Sequence, residues 1–76
     1  MKTPVLYIIV PCYNEEAVLP ITCSLFLNKI TELAGKGKIS DDSRVLFVND
    51  GSRDGTLEVL RQMARQDSRV KYLSFS

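Results

Sequence analysis

Two runs of consecutive apolar residues constrain this chain more than any other feature. Val5-Leu6-Tyr7-Ile8-Ile9-Val10 is β-branched and aromatic, and Arg44-Val45-Leu46-Phe47-Val48 repeats the pattern. Runs this short, without apolar–polar alternation, read as strands covered on both faces. Pro11 is expected to end the first, and Asn49-Asp50-Gly51 the second. Val70 to Phe75 reads as a third strand.

Two helical patterns separate the strands. From about Val18 to Ala34 the apolar residues Val18, Ile21, Leu25, Phe26, Ile30 and Leu33 fall at helical spacing. Pro20 fits the first turn, where a missing N–H costs nothing, and Gly35 and Gly37 supply the stop. Lys36 to Ser43 is a polar surface loop. Asp54 or Thr56 can cap a second helix with Leu57, Leu60, Met63 and Ala64 on one face, closed by Asp67-Ser68. The alternation predicts an α/β fold: a Rossmann-like βαβαβ half-sheet of parallel strands in the order 3-2-1. Right-handed crossovers marching one way place both helices on one face. The other face then has nothing to cover it within the 76 residues. It must be buried by a continuation of the chain or by a partner chain, so residues 1–76 read as the incomplete N-terminal portion of a larger domain.

Composition narrows the chemistry. With 45% hydrophobic and 25% charged residues the chain is of ordinary globular type. Ten basic against nine acidic residues, a net charge of +1, leave no electrostatic footprint for nucleic acid. Histidine is absent, which removes the commonest general base and transition-metal ligand, so carboxylates, hydroxyls and backbone must carry any chemistry. Cys12 and Cys23 have no zinc-site spacing and are expected reduced and buried. No signal-peptide core and no apolar stretch of about 20 residues is present, so cytoplasmic exposure is the expectation.

Ligands of open parallel sheets bind at the carboxyl ends of the strands. Two acidic loops arrive there, Pro11-Cys12-Tyr13-Asn14-Glu15-Glu16 and Asn49-Asp50-Gly51-Ser52-Arg53-Asp54-Gly55-Thr56. Neither a G-x-G-x-x-G nor a P-loop signature occurs, which argues against an ordinary dinucleotide fold and a P-loop NTPase. Asp50-x-Ser52-x-Asp54-Gly55 mimics half of an EF-hand, but Arg61 stands where the bidentate Glu belongs, and a strand precedes the loop. Carboxylates at strand tips suit acceptance of hydrogen bonds from ribose hydroxyls and base N–H groups, or a divalent cation that bridges phosphates. Each residue also has a plainer reading. Asp54 can be a helix cap, Glu15 and Glu16 can complement the dipole of the following helix, and Tyr13 can be a loop aromatic rather than a surface for base stacking.

Ile9-Val10-Pro11-Cys12-Tyr13-Asn14-Glu15-Glu16 followed by Val48-Asn49-Asp50-Gly51-Ser52-Arg53-Asp54-Gly55-Thr56 resembles the start of a glycosyltransferase family 2 domain of the GT-A fold, a nucleotide-diphospho-sugar transferase fold. With Leu19-Pro20 opening the helix, it is most similar to the polyprenyl-phosphate branch, the dolichyl- and undecaprenyl-phosphate sugar transferases. The resemblance implies an inverting transferase that moves a hexose from a UDP- or GDP-sugar to an acceptor such as a polyprenyl phosphate. It implies that Pro11, Tyr13, Glu15, Val48 and Asp50 line the base and ribose pocket, while Asn14 and Asp54 hold the loops in shape. It also implies Mg²⁺ or Mn²⁺, held by residues beyond Ser76, where the catalytic base, the acceptor site and any membrane-associated helices are expected. These 76 residues alone are accordingly expected to be inactive, and the full-length protein to work at the cytoplasmic face of a membrane. The alternatives are a non-catalytic nucleotide-binding or regulatory α/β module, and a structural domain that pairs through its bare sheet face.

Overall fold

The computed structural model describes residues 3–51 and 54–75; Met1, Lys2, Ser52, Arg53 and Ser76 lie outside them. Strand β1 (Tyr7–Cys12), helix α1 (Leu19–Gly35), β2 (Arg44–Asp50), α2 (Thr56–Gln66) and β3 (Val70–Phe75) follow in that order. The three strands form one sheet in the order β1-β2-β3, parallel throughout. Val10 pairs with Phe47 and Phe47 with Tyr72, so these rows face the same side. Both helices lie on that side, over a core of Leu19, Cys23, Ile30, Val45, Phe47, Leu60, Met63 and Val70.

β1 has the expected length but is shifted by two residues, starting at Tyr7 rather than Val5 and ending at Cys12, so Pro11 lies inside it rather than at its end. The register explains why the strand tolerates it. The Arg44 N–H donates to the Leu6 carbonyl at 2.9 Å, so the even-numbered residues of β1 turn their backbone polar groups toward β2. Pro11 belongs to the alternate set, whose N–H positions face the edge open among the described strands, and no ladder bond is lost there. β2 likewise continues through Asn49 and Asp50.

Only half of the apolar stripe expected for α1 meets the sheet. Leu19, Cys23 and Ile30 are buried, with Phe26 and Leu33 partly so, while Val18, Ile21 and Leu25 stand exposed. The helix is apolar on two stripes, and only one meets the sheet. Its stop is set by Gly37 rather than Gly35. With Gly37 at φ 71°, its N–H reaches the Ala34 carbonyl at 3.0 Å and the Lys38 N–H the Leu33 carbonyl at 2.9 Å. That pair of bonds satisfies the last orphan carbonyls and needs a residue at ease with positive φ. Leu60 and Met63 are buried on α2 as expected, but its N-cap is Gly55 without a side-chain bond, and Thr56 is the first helical residue.

The face away from the helices carries Tyr7, Ile9, Leu46, Leu73 and Phe75, and all but Leu46 remain at least half exposed. An apolar surface of this kind on a sheet whose strands read as doubly covered is a face prepared for burial.

Both cysteines are free and buried. Burial pushes the Cys12 thiol up, with Glu15 and Asp54 adding to it, and burial does the same for Cys23, with Asp67 adding. Thiolate is the reactive form. At pH 8 both residues are expected to alkylate at least about tenfold more slowly in the native protein than after unfolding, read by peptide mapping with iodoacetamide. Equal rates would show that these thiols are not held inside.

Candidate functional site

The parallel register ends with Cys12 opposite Asn49 between β1 and β2, and with Asp50 opposite Phe75 between β2 and β3. Beyond those rows the two acidic loops leave the sheet side by side. Pro11 pairs with Val48, and Asp50 follows two rows beyond, on the same face as Val48. Pro11, Val48 and Asp50 therefore share the uncovered face at its carboxyl end, with Pro11 and Asp50 exposed and Val48 half-buried. Tyr13 is 56% exposed at the mouth of the first loop, and Glu15 is half-buried behind it. Pro11, Val48 and Asp50 thus share one face at the end of the sheet, and Tyr13 and Glu15 lie on the loop that leaves β1 there. Ser52 and Arg53 of the second motif lie outside the described residues.

Two positions on the rim need unusual backbone. Asn14 stands at φ 50°, a left-handed conformation that Asn adopts more readily than most residues, and Gly51 turns the chain off β2 at φ 68°. The buried amide of Asn49 donates to Ser74 Oγ at 3.2 Å and ties the tips of β2 and β3.

Across the gap the loops are joined by side chain to backbone bonds. The Glu15 N–H donates to Thr56 Oγ1 at 3.1 Å, and the Glu16 N–H to Asp54 Oδ2 at 3.2 Å. The Gly55 N–H donates back to Glu16 Oε1 at 3.0 Å. Asp54 also accepts the Thr56 N–H at 3.0 Å and the Thr56 hydroxyl. The bond from that hydroxyl, ahead of those from the Thr56 and Glu16 amides, holds the Asp54 carboxyl below the usual aspartate range. A depressed folded-state value means that these bonds are fully made at neutral pH and weaken only as acid approaches that lowered value. Asp54 thus holds the loops together and, from the residue before the N-cap, accepts the first helical N–H of α2. Glu16 does not complement α1, whose first turn holds no acidic residue; its carboxylate sits instead at the N-terminus of α2.

Two residues of this junction were not evident from sequence. Thr56, fully buried, reads locally as a cap, and its bond to Glu15 spans 41 positions. The pairing of Glu16 with Gly55 spans 39, and nothing in the local pattern announces it. A groove of about 270 Å³ between α1 and α2, lined in part by Pro20, Cys23, Met63 and Asp67, lies on the helix side and includes none of the rim residues. Among the described residues no group of three or more His, Cys, Asp or Glu stands close enough to hold a metal ion. Among the described residues no helix is long and apolar enough to cross a membrane.

Comparison with known proteins meets these observations. The Glycosyl transferase family 2 model matches residues 7–76. The chain is 36% identical over 73 residues to the "Uncharacterized glycosyltransferase YkoT" of Bacillus subtilis (strain 168), 96% of this chain and 22% of that protein. It is 37% identical over 57 residues to the undecaprenyl-phosphate 4-deoxy-4-formamido-L-arabinose transferase of Aeromonas hydrophila, 75% of this chain and 16% of that protein. With the dolichol-phosphate mannosyltransferase of Saccharomyces cerevisiae it shares 33% over 67 residues, 87% of this chain and 23% of that protein. The chain spans about a fifth of the length of the curated relatives it matches. No solved structure matches it. The three-stranded parallel unit is the N-terminal, Rossmann-like part of a GT-A fold. By motif, by topology and by a match across nearly its whole length, the chain belongs to glycosyl transferase family 2.

Proposed function

We propose that residues 1–76 are the N-terminal, nucleotide-sugar-binding portion of an inverting glycosyltransferase that moves a hexose from a UDP- or GDP-sugar to a polyprenyl phosphate. The observation that supports this reading is the register that puts Pro11, Val48 and Asp50 on one face, with the loop carrying Tyr13 and Glu15 leaving beside them, at the strand ends where open parallel sheets bind ligands. Asp50 accepts from base or ribose donors, Tyr13 offers a face to the base, and Pro11 with Val48 forms the apolar wall. Transfer then breaks the bond from the sugar's anomeric carbon to the nucleoside diphosphate and forms one to an acceptor oxygen on the opposite side. The acceptor follows the names of the relatives, two of which act on undecaprenyl or dolichol phosphate. Association with the cytoplasmic face of a membrane follows from such an acceptor. The Mg²⁺ or Mn²⁺ implied by the family would be held, like the catalytic base, outside this chain, and the continuation of the chain covers the bare sheet face.

Asp50 gives the test. Asp50→Ala in the full-length protein is expected to weaken binding of the donor nucleotide about 10- to 100-fold, the loss of a hydrogen bond to a charged acceptor. Its thermal unfolding should match that of the wild type. Calorimetric titration with UDP- and GDP-sugars checks it, and an unchanged affinity would remove Asp50 from the site.

A further inference from the structure

We infer that Glu16 is a positioning residue of the nucleotide site, whose carboxylate fixes the second strand-tip loop against the first by holding the Gly55 N–H. The inference rests on the nucleotide-sugar reading above. The sheet ladder ends at Cys12 and Asn49, so it does not set the spacing between Tyr13 and Glu15 on one loop and the residues after Asp50 on the other. The cross-loop bonds take over there, and they are reciprocal at Glu16. Its carboxylate accepts from Gly55 at 3.0 Å, while its own N–H donates to Asp54 at 3.2 Å.

Gly55 supplies an independent sign of the pairing. Its φ of −77° is one that any residue adopts, so backbone conformation does not require glycine. Space does. A Cβ at this position would lie 2.5 Å from Glu16 Oε2 and 2.7 Å from Glu16 Cδ, and its three nearest neighbours all belong to that carboxyl group. Any side chain at 55 competes with the carboxylate at 16 for the same space. Gly55→Ala would push that carboxylate off the amide without straining the chain. The two residues act as one contact, and removing either releases the same joint.

The test is a double-mutant cycle in the full-length protein with UDP-glucose and GDP-mannose as probes. Glu16→Ala and Gly55→Ala are each expected to raise the donor KM about three- to tenfold, the range of one exposed hydrogen bond to a charged acceptor, with kcat within about twofold of wild type. The double variant should be no worse than the more impaired single one, because the three atoms nearest the alanine methyl all belong to the carboxyl group that the first substitution removes. Glu16→Gln should stay close to wild type, since its amide oxygen still accepts. If Glu16→Ala does not fold at the assay temperature, Gly55→Ala and its rescue by Glu16→Ser give the same comparison. Losses that multiply in the double variant, or a Glu16→Ala protein with wild-type KM, would overturn the inference alone. A wild-type protein that uses and binds neither probe would overturn it together with the nucleotide-sugar reading.

Discussion

Phe47→Ala is expected to lower the stability of the domain by about 3–5 kcal/mol, the range for removing an aromatic ring from a closed core. Phe47 is 0% exposed and is the largest of the fully buried side chains. It stands in the middle strand, with Val10 and Tyr72 as its register partners, so the sheet leaves little room for backbone collapse into the cavity. Denaturant unfolding with an unchanged m-value checks the figure. A domain holds only about 5–15 kcal/mol in total, so this one change takes a large share of it. A loss below about 1 kcal/mol would show that the ring is not central to the packing.

Ile9→Lys is expected to behave in the opposite way from its appearance. Ile9 is 56% exposed on the face away from the helices, and a change at such a position ordinarily falls within about 0.5 kcal/mol. In the full-length protein the same change is expected to cost about 3 kcal/mol or more, because an ammonium would be buried unpaired beneath whatever covers the sheet. Comparing residues 1–76 with the full-length protein, each with and without the substitution, isolates the effect of covering. A full-length variant as stable as its parent would mean that the face meets water, and the claim of a covering continuation would fall.

The architecture was legible because the period of the pattern changes along the chain. Continuous apolar runs at Val5–Val10 and Val45–Val48, separated by helical spacing, admit few folds other than a parallel sheet with crossovers. What went unread was non-local. Pro11 looks like a strand terminator until the register shows its nitrogen on the open side. Val18, Ile21 and Leu25 have helical spacing as regular as the stripe that packs, and no local signal says which stripe the sheet takes. The rim is similar. Its loops were visible as two acidic segments, and the pairing of their strands brought Pro11, Val48 and Asp50 onto one face. The contacts that join the loops depend on residues about 40 positions apart, Glu15 with Thr56 and Glu16 with Gly55, and each of these four has an adequate local explanation that conceals its partner.

The outward nitrogen of Pro11 also limits what can be added beside β1. A further strand laid along that edge could zip onto Tyr7 and Ile9, whose N–H groups point the same way, but at Pro11 it would meet a carbon ring where a donor should be. The zipper must part there, one residue short of the strand's end. Any neighbour on that edge loses the bond from residue 11 at the height where the acidic loops leave the sheet.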